Sequence, residues 1–253
     1  MTTAALDSYF KTLLDMEGFA SIDDSQNGLQ VDNDGGEVQK IAFAVDACRE
    51  TIERAKKCGA GMLFVHHGLL WGKPLRVSGV HRERLRLLLA GNVALYGVHL
   101  PLDQSPSVGN NAVLASLLGI VDPEPFGTYH GRKIGYKGRL ARALTIERAA
   151  ELIRFGDRPS LGVYPFGPRE SVTCAVVSGG AAFESLQAIE EGIDLYVTGE
   201  TSHSVYHHAL EGRLNVIAGG HYSTEVWGVR RVMENCAEET GLEVEFLDVP
   251  TGL

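Results

Sequence analysis

Residues 41–67, IAFAVDACRETIERAKKCGAGMLFVHH, decide the fold of this chain. The apolar run at the start predicts a buried strand, the charged middle predicts a helix that Gly59 ends, and 62–65 predict a second strand. Strand, helix and strand at this spacing are typical of a βαβ unit in a parallel or mixed sheet. The unit places His66 and His67 directly after its second strand.

The same order of elements returns after residue 170. Apolar and polar runs there again predict a strand, a helix and a further strand. The interval from Val45 to Val65 is 20 positions, and so is the interval from Val177 to Val197. The matched intervals predict an internal duplication.

We therefore predict an α/β protein of two similar halves, each with a mixed sheet flanked by helices. The first half is expected to span residues 1–125 and the second 126–253, with the segment from about residue 220 able to pack back on the first half. Two prolines within 122–127 predict a linker at the boundary.

Each half also contains a histidine that is followed four positions later by an acid. These pairs are His99 with Asp103 and His221 with Glu225, and each follows an apolar run and precedes a predicted helix, the second at 229–240 after Gly228. In an extended or turn-like segment, the two side chains of such a pair can converge on one place.

Donors of this kind are the material of a metal site. Open α/β sheets bind ligands at the carboxyl ends of their strands, where these imidazoles and carboxylates are expected. A carboxylate can bridge two ions about 3.5–4 Å apart. The residues therefore predict a dinuclear metal site in the cleft between the halves.

The donor types also indicate which metals to expect. His66 and His67 are neighbours in an extended segment, so they point in divergent directions and suit two different ions. Nitrogen and oxygen ligands without thiolate favour Zn, Mn or Fe(II) over copper(I) or calcium. The four cysteines show no CxxC pairing, so a thiolate zinc site is not indicated.

Composition excludes several other classes. The net charge of −9 repels a polyanion, so general nucleic-acid binding is disfavoured, although a small anionic substrate beside bound cations is allowed. No apolar run approaches the roughly 20 residues of a membrane span, and no basic stretch followed by an apolar core opens the chain. We therefore expect a cytoplasmic protein without a membrane partner.

Several motifs, taken in order along the whole chain, resemble the Ngg-one-interacting-factor-three family, whose bacterial members are labelled GTP cyclohydrolase 1 type 2 homologs. The length is similar to the short form of that family. The motifs are His66-His67-Gly68 with Trp71-Gly72, His99 with Pro101-Leu102-Asp103 and Gly109-Asn110-Asn111, Thr198-Gly199-Glu200 with His203, and Gly220-His221-Tyr222-Ser223-Thr224-Glu225.

The resemblance implies two divalent metal ions (Zn, Fe or Mn) per chain and a toroidal homohexamer. It implies that Glu225 bridges the ions, that His67 and Asp103 complete one ion, and that His66 and His221 complete the other. His99 matches a family histidine, and we place it behind the ligands, orienting Asp103 or a bound water.

Two further residues are candidates for proton transfer. Glu200 and His203 follow the predicted strand 193–197, and they could relay protons during attack on a substrate. The alternative is an acid at a helix N-terminus with a structurally satisfied histidine. Asn110 and Asn111 either contact substrate or open the helix after Gly109.

The turn Ser178-Gly179-Gly180 could bind a phosphate through its backbone amides, but it is better interpreted as an ordinary strand-to-helix turn.

Three functions follow from these residues. The first is a dinuclear metal-dependent hydrolase that acts on a small molecule, a nucleotide or phosphoester, and the family label points to a GTP cyclohydrolase-like reaction. The alternative is a non-catalytic module that handles metal or binds another protein. The third, a ring that binds nucleic acid, is disfavoured by the acidic balance.

Overall fold

The computed structural model describes all 253 residues. The chain divides into two compact units, the first made of 1–102 with 229–249, and the second of 103–228 with 250–253. None of the helices is long and apolar enough to cross a membrane. The boundary between the two units falls after Leu102. The sequence analysis predicted the boundary between the halves after residue 125.

The first unit is built around a five-stranded sheet. Its strand order is β1-β4-β3-β2-β11, in which β2, β3, β4 and β11 are parallel and β1 is antiparallel to β4. The predicted βαβ unit is confirmed. The elements are α1 (Thr3–Leu13), α2 (Met16–Phe19), β1 (Gly28–Val31), β2 (Lys40–Asp46), α3 (Arg49–Lys57), β3 (Met62–His67), α4 (Gly79–Gly91), β4 (Ala94–Gly97) and β11 (Glu243–Phe246).

The parallel strands of this sheet are buried on both faces. On one face, the ring of Phe64 packs against Phe10 of α1 and against Phe43, with centroid distances of 4.9 and 5.2 Å. Ala44 and Leu63 belong to a separate cluster on the other face. Burial on both faces explains why these strands appear in the sequence as continuous apolar runs.

The second unit is built around a six-stranded mixed sheet. Its order is β5-β6-β8-β9-β10-β7, with β8, β9 and β10 parallel and the other neighbours antiparallel. The elements are α6 (Asn110–Leu118), β5 (Ile120–Tyr129), β6 (Arg132–Leu144), α7 (Ile146–Leu152), β7 (Gly162–Tyr164), β8 (Ser171–Val177), α8 (Ser185–Glu190), β9 (Leu195–Thr198), α9 (His203–Glu211) and β10 (Asn215–Ala218).

Two helices cross the division in the chain. The short α5 (Leu100–Gln104) starts in the first unit and ends in the second. The long α10 (His221–Thr240) starts in the second unit, and from Val229 onward its residues belong to the first. The final segment through β11 also belongs to the first unit, where β11 pairs with β2.

The linker predicted at 122–127 is wrong, because these residues lie inside β5. Prolines are tolerated in a strand when it lies at the edge of a sheet, and β5 is an edge strand. Asp122 has a positive φ of 47°, and the register with β6 shifts between Val121 and Glu124. The prolines therefore mark a bulged edge strand and not a connection between domains.

The duplication is visible in the strand registers. Ala44 pairs with Val65 between β2 and β3, and Val176 pairs with Val197 between β8 and β9, an offset of 21 residues in each case. In each sheet an antiparallel strand borders the last of the parallel strands, β1 beside β4 and β7 beside β10. The prediction of two similar α/β halves is confirmed.

Candidate metal centre

The first unit holds His66 at the end of β3 in a fully buried position. Its Nδ1 atom lies 2.9 Å from the carbonyl oxygen of Val98. A carbonyl oxygen only accepts hydrogen bonds, so Nδ1 of the neutral ring carries the proton and Nε2 carries the lone pair. A metal-ligating histidine needs this tautomer and this kind of support.

The other two histidines of the first unit are held by carboxylates. His67 Nδ1 lies 2.8 Å from Asp46 Oδ1, and His99 Nδ1 lies 2.9 Å from Asp23 Oδ1. Burial acts to raise the pKa of Asp23, but hydrogen bonds from His99 and from Asn27 outweigh it, and the pKa lies below its ordinary value. Asp23 is therefore an ionised acceptor, which fixes the His99 ring with its Nε2 lone pair directed away from the carboxylate.

These three imidazoles form one group. One ring nitrogen from each of His66, His67 and His99 lies within 4.8 Å of the others. The ring centroids are 4.6 Å apart for His66 and His67, and 5.2 Å apart for His66 and His99. The structure therefore places His99 among the potential donors, whereas the expectation from the sequence was that it lies behind them and orients Asp103 or a bound water.

The second unit holds His221 and Glu225 on one turn of helix. His221 is the first residue of α10, and its Nε2 atom lies 3.1 Å from Oε1 of Glu225, which is buried. The expectation of an extended or turn-like segment here is wrong, because both residues lie within α10. Residues four apart in a helix lie on the same face. The pair still converges on one place, as the spacing predicted.

Glu200 lies on the opposite edge of the His221 ring. Its Oε1 atom is 2.5 Å from Nδ1 of His221. Burial acts to lower the pKa of His221, but hydrogen bonds and charge from Glu225 and Glu200 overcome it and raise the pKa to about 9. The arrangement of carboxylate, histidine and second carboxylate resembles the way metal-ligating histidines are oriented.

Asp103 is the third acid near the candidate ligands of the second unit, after Glu225 and Glu200. It is buried, and its Oδ1 atom accepts hydrogen bonds from Asn110 Nδ2 at 2.9 Å and from Ser178 Oγ at 2.8 Å. A carboxylate oxygen of Asp103 lies within 4.8 Å of one from Glu225. Glu225 is therefore within reach of an imidazole on one side and a second carboxylate on the other.

The asparagine pair is structural and opens α6. Asn110 donates to Asp103 and accepts from the Gly228 amide at 2.7 Å. Asn111 donates to the Ile134 carbonyl and accepts from the Ser178 amide. Both side chains are fully buried, so of the two predicted roles the structure supports the positioning role and not substrate contact.

The turn at 178–180 uses two of its backbone amides within the protein, which favours an ordinary strand-to-helix turn over a phosphate site. The amide of Ser178 donates to Asn111 Oδ1, and the amide of Gly179 donates to Thr224 Oγ1. Its function is to give space to the donors, because a Cβ atom at Gly179 would lie 2.3 Å from Oε1 of Glu225 and 3.3 Å from Nε2 of His221. The φ of Gly179 is +66°, a conformation that also favours glycine.

The two residues proposed for proton transfer have different surroundings. Glu200 contacts His221 directly, with a side chain that is 46% exposed. His203 begins α9, is exposed, and lines a separate cavity of the second unit. A role for His203 in proton transfer stays a prediction.

The protein is a mixed α/β protein, and it contains buried histidine and carboxylate side chains of the kind that bind metal ions. The family model for Duf34/NIF3 (NGG1p interacting factor 3) matches residues 1–252, and the chain belongs to this family. This agrees with the resemblance seen in the sequence motifs.

Named relatives and solved structures cover nearly the whole chain. A "GTP cyclohydrolase 1 type 2 homolog" of Treponema pallidum is 38% identical with 100% of both chains covered, and one of Pyrococcus horikoshii is 46% identical over 91% of this chain and 92% of its own. A crystal structure from Thermus thermophilus matches with a TM-score of 0.88 and 38% identity, covering 100% of both chains. Reduced HcgD from Methanocaldococcus jannaschii matches with a TM-score of 0.85 and 27% identity, over 98% of both chains.

Proposed function

We propose that this protein is a dinuclear-metal-dependent hydrolase that acts on a nucleotide or phosphoester. The observation that carries the proposal is the position of Glu225, a buried carboxylate within reach of both His221 and Asp103. A buried carboxylate is costly unless a cation or hydrogen bonds compensate its charge. A carboxylate with donors on either side is the arrangement that a bridging ligand needs.

The donor chemistry of each unit fits divalent cations. In the first unit, hydrogen bonds to Nδ1 direct the Nε2 lone pairs of the histidines. In the second unit, the donors are two carboxylates and an imidazole. Zn, Fe(II) and Mn all accept such a mixed set. We assign the metal ligands as His66, His67, Asp103, His221 and Glu225, with His99 as an additional donor or as a support.

The metals would supply Lewis acidity and a nucleophile at neutral pH. The protein residues supply orientation and proton transfer. Ser178 and Asn110 fix one oxygen of Asp103, and Glu200 fixes the ring of His221. Because Glu200 is also open to solvent, it can pass a proton between His221 and water.

The substrate class rests on the relatives. Their shared name, "GTP cyclohydrolase 1 type 2 homolog", favours a nucleotide, but a fold and a site can host several chemistries. We also propose that the protein works as a homohexameric ring. Sedimentation or light scattering of the purified protein tests the assembly, and a monomer would contradict it.

The test combines metal analysis with a hydrolysis screen. We expect about two divalent ions per chain after repletion, and hydrolysis of at least one nucleotide or phosphoester. Glu225→Ala should lower both, and Glu225→Gln, which keeps the shape but loses the charge, should lower metal content to a similar degree.

Three outcomes separate the functions. Metal content well below one ion per chain would contradict the dinuclear proposal. Hydrolysis that Glu225→Ala leaves unchanged would contradict the role of the site in catalysis. A full metal complement with no turnover of any compound would favour the non-catalytic metal-binding module.

A further inference from the structure

A polar segment of the first unit, residues 23–30, is hydrogen-bonded to two loops that carry the imidazoles of that unit. One loop, 68–71, follows His66 and His67 at the end of β3, and the other, 98–99, follows β4 and contains His99. Backbone amides that follow each strand donate to side chains of the polar segment. The segment therefore contacts both places from which imidazoles enter the three-histidine group.

Gln30 holds the first of these loops. Its Oε1 atom accepts hydrogen bonds from the backbone amides of Leu69 at 2.7 Å and Leu70 at 3.1 Å. Its Nε2 atom donates to the carbonyl oxygen of Gln26 at 2.8 Å, and the Gln26 amide donates to the carbonyl oxygen of Leu70 at 3.0 Å. Both lone pairs of Oε1 are used, so the side-chain amide is fixed at both ends by backbone groups.

Two glycines leave the space that this side-chain amide occupies. A Cβ atom at Gly68 would lie 2.3 Å from Nε2 and 2.4 Å from Oε1 of Gln30, and one at Gly97 would lie 2.9 Å from Nε2. The amide cannot move aside without breaking its three hydrogen bonds. It is therefore packed as well as hydrogen-bonded against the backbone beside His67.

Asn27 and Asp23 hold the second loop. Oδ1 of Asn27 accepts from the backbone amide of His99 at 2.8 Å, and its Nδ2 donates to Oδ2 of Asp23 at 2.9 Å. Oδ2 of Asp23 also accepts from the Leu100 amide at 3.0 Å, while its Oδ1 lies 2.9 Å from Nδ1 of the His99 ring. The same polar segment thus orients the backbone and the ring of His99.

We propose that Gln30 is a positioning residue for the candidate metal centre. It keeps the loop after His66 and His67 in the conformation in which their rings lie beside that of His99. The inference rests on the proposed function, since it states how the ligands of that site are held before a metal binds. Ligands that are oriented in advance bind more tightly, because binding then carries no cost of ordering them. Gln30 bonds to the backbone after the histidines, so its effect on a metal ion is indirect.

The experiment compares Gln30→Met with Gln187→Met in the full-length protein. Methionine has a similar volume and lacks the amide. Gln187, on α8, is the matched control, because it is also partly exposed and also bonds to backbone, with Oε1 accepting from the Thr128 amide at 2.9 Å and Nε2 donating to the Thr128 carbonyl at 3.1 Å.

Two measurements are made on each variant. Competition with a chelator of known affinity gives the affinity for Zn²⁺, and urea denaturation of the metal-free protein gives the stability. We expect Gln30→Met to bind Zn²⁺ about tenfold or more weakly, and Gln187→Met to bind it as the unchanged protein does. Both variants should be less stable, because each loses hydrogen bonds to the backbone.

Bound Co²⁺ gives a readout that a general loss of stability does not change. Its visible absorption depends on the number and arrangement of its ligands, so Gln30→Met should alter the spectrum and Gln187→Met should not. Gln30→Glu keeps an oxygen that accepts from Leu69 and Leu70 but loses the donor to Gln26. It should recover part of the Zn²⁺ affinity that Gln30→Met loses.

Gly68→Ala tests the packing separately. In the unchanged protein its Cβ meets the fixed amide of Gln30, so Zn²⁺ affinity should fall. In a Gln30→Ala background the amide is absent, and Gly68→Ala should have little further effect. Residues that act through one contact give such non-additive results.

Three results would overturn the inference. They are a Zn²⁺ affinity and Co²⁺ spectrum of Gln30→Met that equal those of the unchanged protein, an equal loss of affinity in Gln187→Met, and additive effects of Gly68→Ala and Gln30→Ala. If the variants behave as expected but no compound is hydrolysed, the positioning role stands and the hydrolase proposal fails. Failure of the unchanged protein to bind any metal would overturn both.

Discussion

The strands β1-β4-β3-β2 of the first sheet and β7-β10-β9-β8 of the second share an order, but the two sets differ in the residues at the ends of equivalent strands. With Ala44 aligned on Val176, His66 and His67 of the first half correspond to Thr198 and Gly199 of the second. One half thus has imidazoles at the end of its middle strand, and the other has a small, tightly packed junction there. A Cβ atom at Gly199 would lie 2.7 Å from the Gly179 carbonyl oxygen.

The histidine–acid pairs also differ between the halves. Val65 pairs with Gly97 in the first sheet and Val197 with Ile217 in the second, so His99 aligns with Gly219 and not with His221. The second copy has two more residues between strand and histidine, and its histidine lies within a helix. A duplicated scaffold therefore keeps its strands and changes the donors at their ends, which is where function is placed on an α/β fold.

The largest effect on metal affinity is expected when His66, near the end of β3, is replaced by the residue at the equivalent position of the second half. His66→Thr copies Thr198 and removes an imidazole whose Nδ1 is fixed by the Val98 carbonyl. We expect metal affinity to fall about 100-fold or more, ~3 kcal/mol, measured by competition with a chelator of known affinity. His208→Gln, at an exposed histidine of α9, should bind metal as before. Equal affinity of His66→Thr and the unchanged protein would exclude His66 as a ligand.

The next effect concerns two equivalent positions shortly after the first strand of each repeat, Ala47 in one half and Gly179 in the other. Gly179→Ala places a Cβ at a positive φ and 2.3 Å from Glu225 Oε1. We expect a loss of about 2–3 kcal/mol in the free energy of unfolding, together with reduced metal content.

The reciprocal change, Ala47→Gly, should cost about 1 kcal/mol because it mainly increases the entropy of the unfolded chain. Urea denaturation measures both. If the two substitutions lower the free energy of unfolding equally, the close approach of Gly179 to Glu225 does not affect stability.

A smaller effect is expected at Asp46, which corresponds to Ser178. Asp46 accepts from Nδ1 of His67, so Asp46→Ser should leave this ring less well oriented and lower metal affinity about 10- to 100-fold. Asp46→Asn keeps an oxygen acceptor and should fall between Asp46→Ser and the unchanged protein. Isothermal titration with Zn²⁺ or Mn²⁺ gives the values, and a lower affinity in Asp46→Asn than in Asp46→Ser would contradict the role assigned to the acceptor.

The smallest effect is the pH dependence of the second half. The pKa of His221 is raised from an ordinary 6.5 to about 9 in the folded protein. Its contribution to stability is therefore fully present below pH 6.5 and is lost as the pH rises through 9. We expect chelator-treated protein to lose on the order of 1–2 kcal/mol over this interval.

Glu200→Gln should flatten this dependence, since it removes one of the two carboxylates that hold the proton. Urea denaturation at a series of pH values measures the slope. An unchanged slope in Glu200→Gln would show that the proton on His221 does not depend on that contact.

Much of the fold could be predicted because buried parallel strands appear as continuous apolar runs. The strands β2, β3, β8 and β9 are all recognisable in this way, and their equal spacing predicts the duplication. The start of α10 could not be predicted. Gly228 suggests a helix opening, but it lies inside the helix, where a Cβ would be 2.7 Å from the Asn110 amide nitrogen. A glycine required by close packing cannot be distinguished from a breaker by local sequence.

The candidate donors could be found in the sequence more readily than the residues that contact them. Histidines and acids after strands are conspicuous, and the family resemblance implies five of them as ligands. Ser178 contacts Asp103 across 75 positions of sequence, and nothing in its local pattern marks that contact. The same holds for Asp23, whose hydrogen bond to His99 spans 76 positions. Such pairings follow from tertiary packing, which a local pattern does not encode.

The bulged strand β5 has a consequence for behaviour at high concentration. It is ten residues long and forms one border of the six-stranded sheet, where a regular strand would offer a row of amide and carbonyl groups to a neighbouring molecule. Pro123 and Pro125 carry no amide hydrogen, and prolines in edge strands occupy positions whose amide would face outward. The bulge at Asp122 adds twist to this row of amide and carbonyl groups. This border is thus protected against the strand-by-strand addition that leads to fibrillar aggregates.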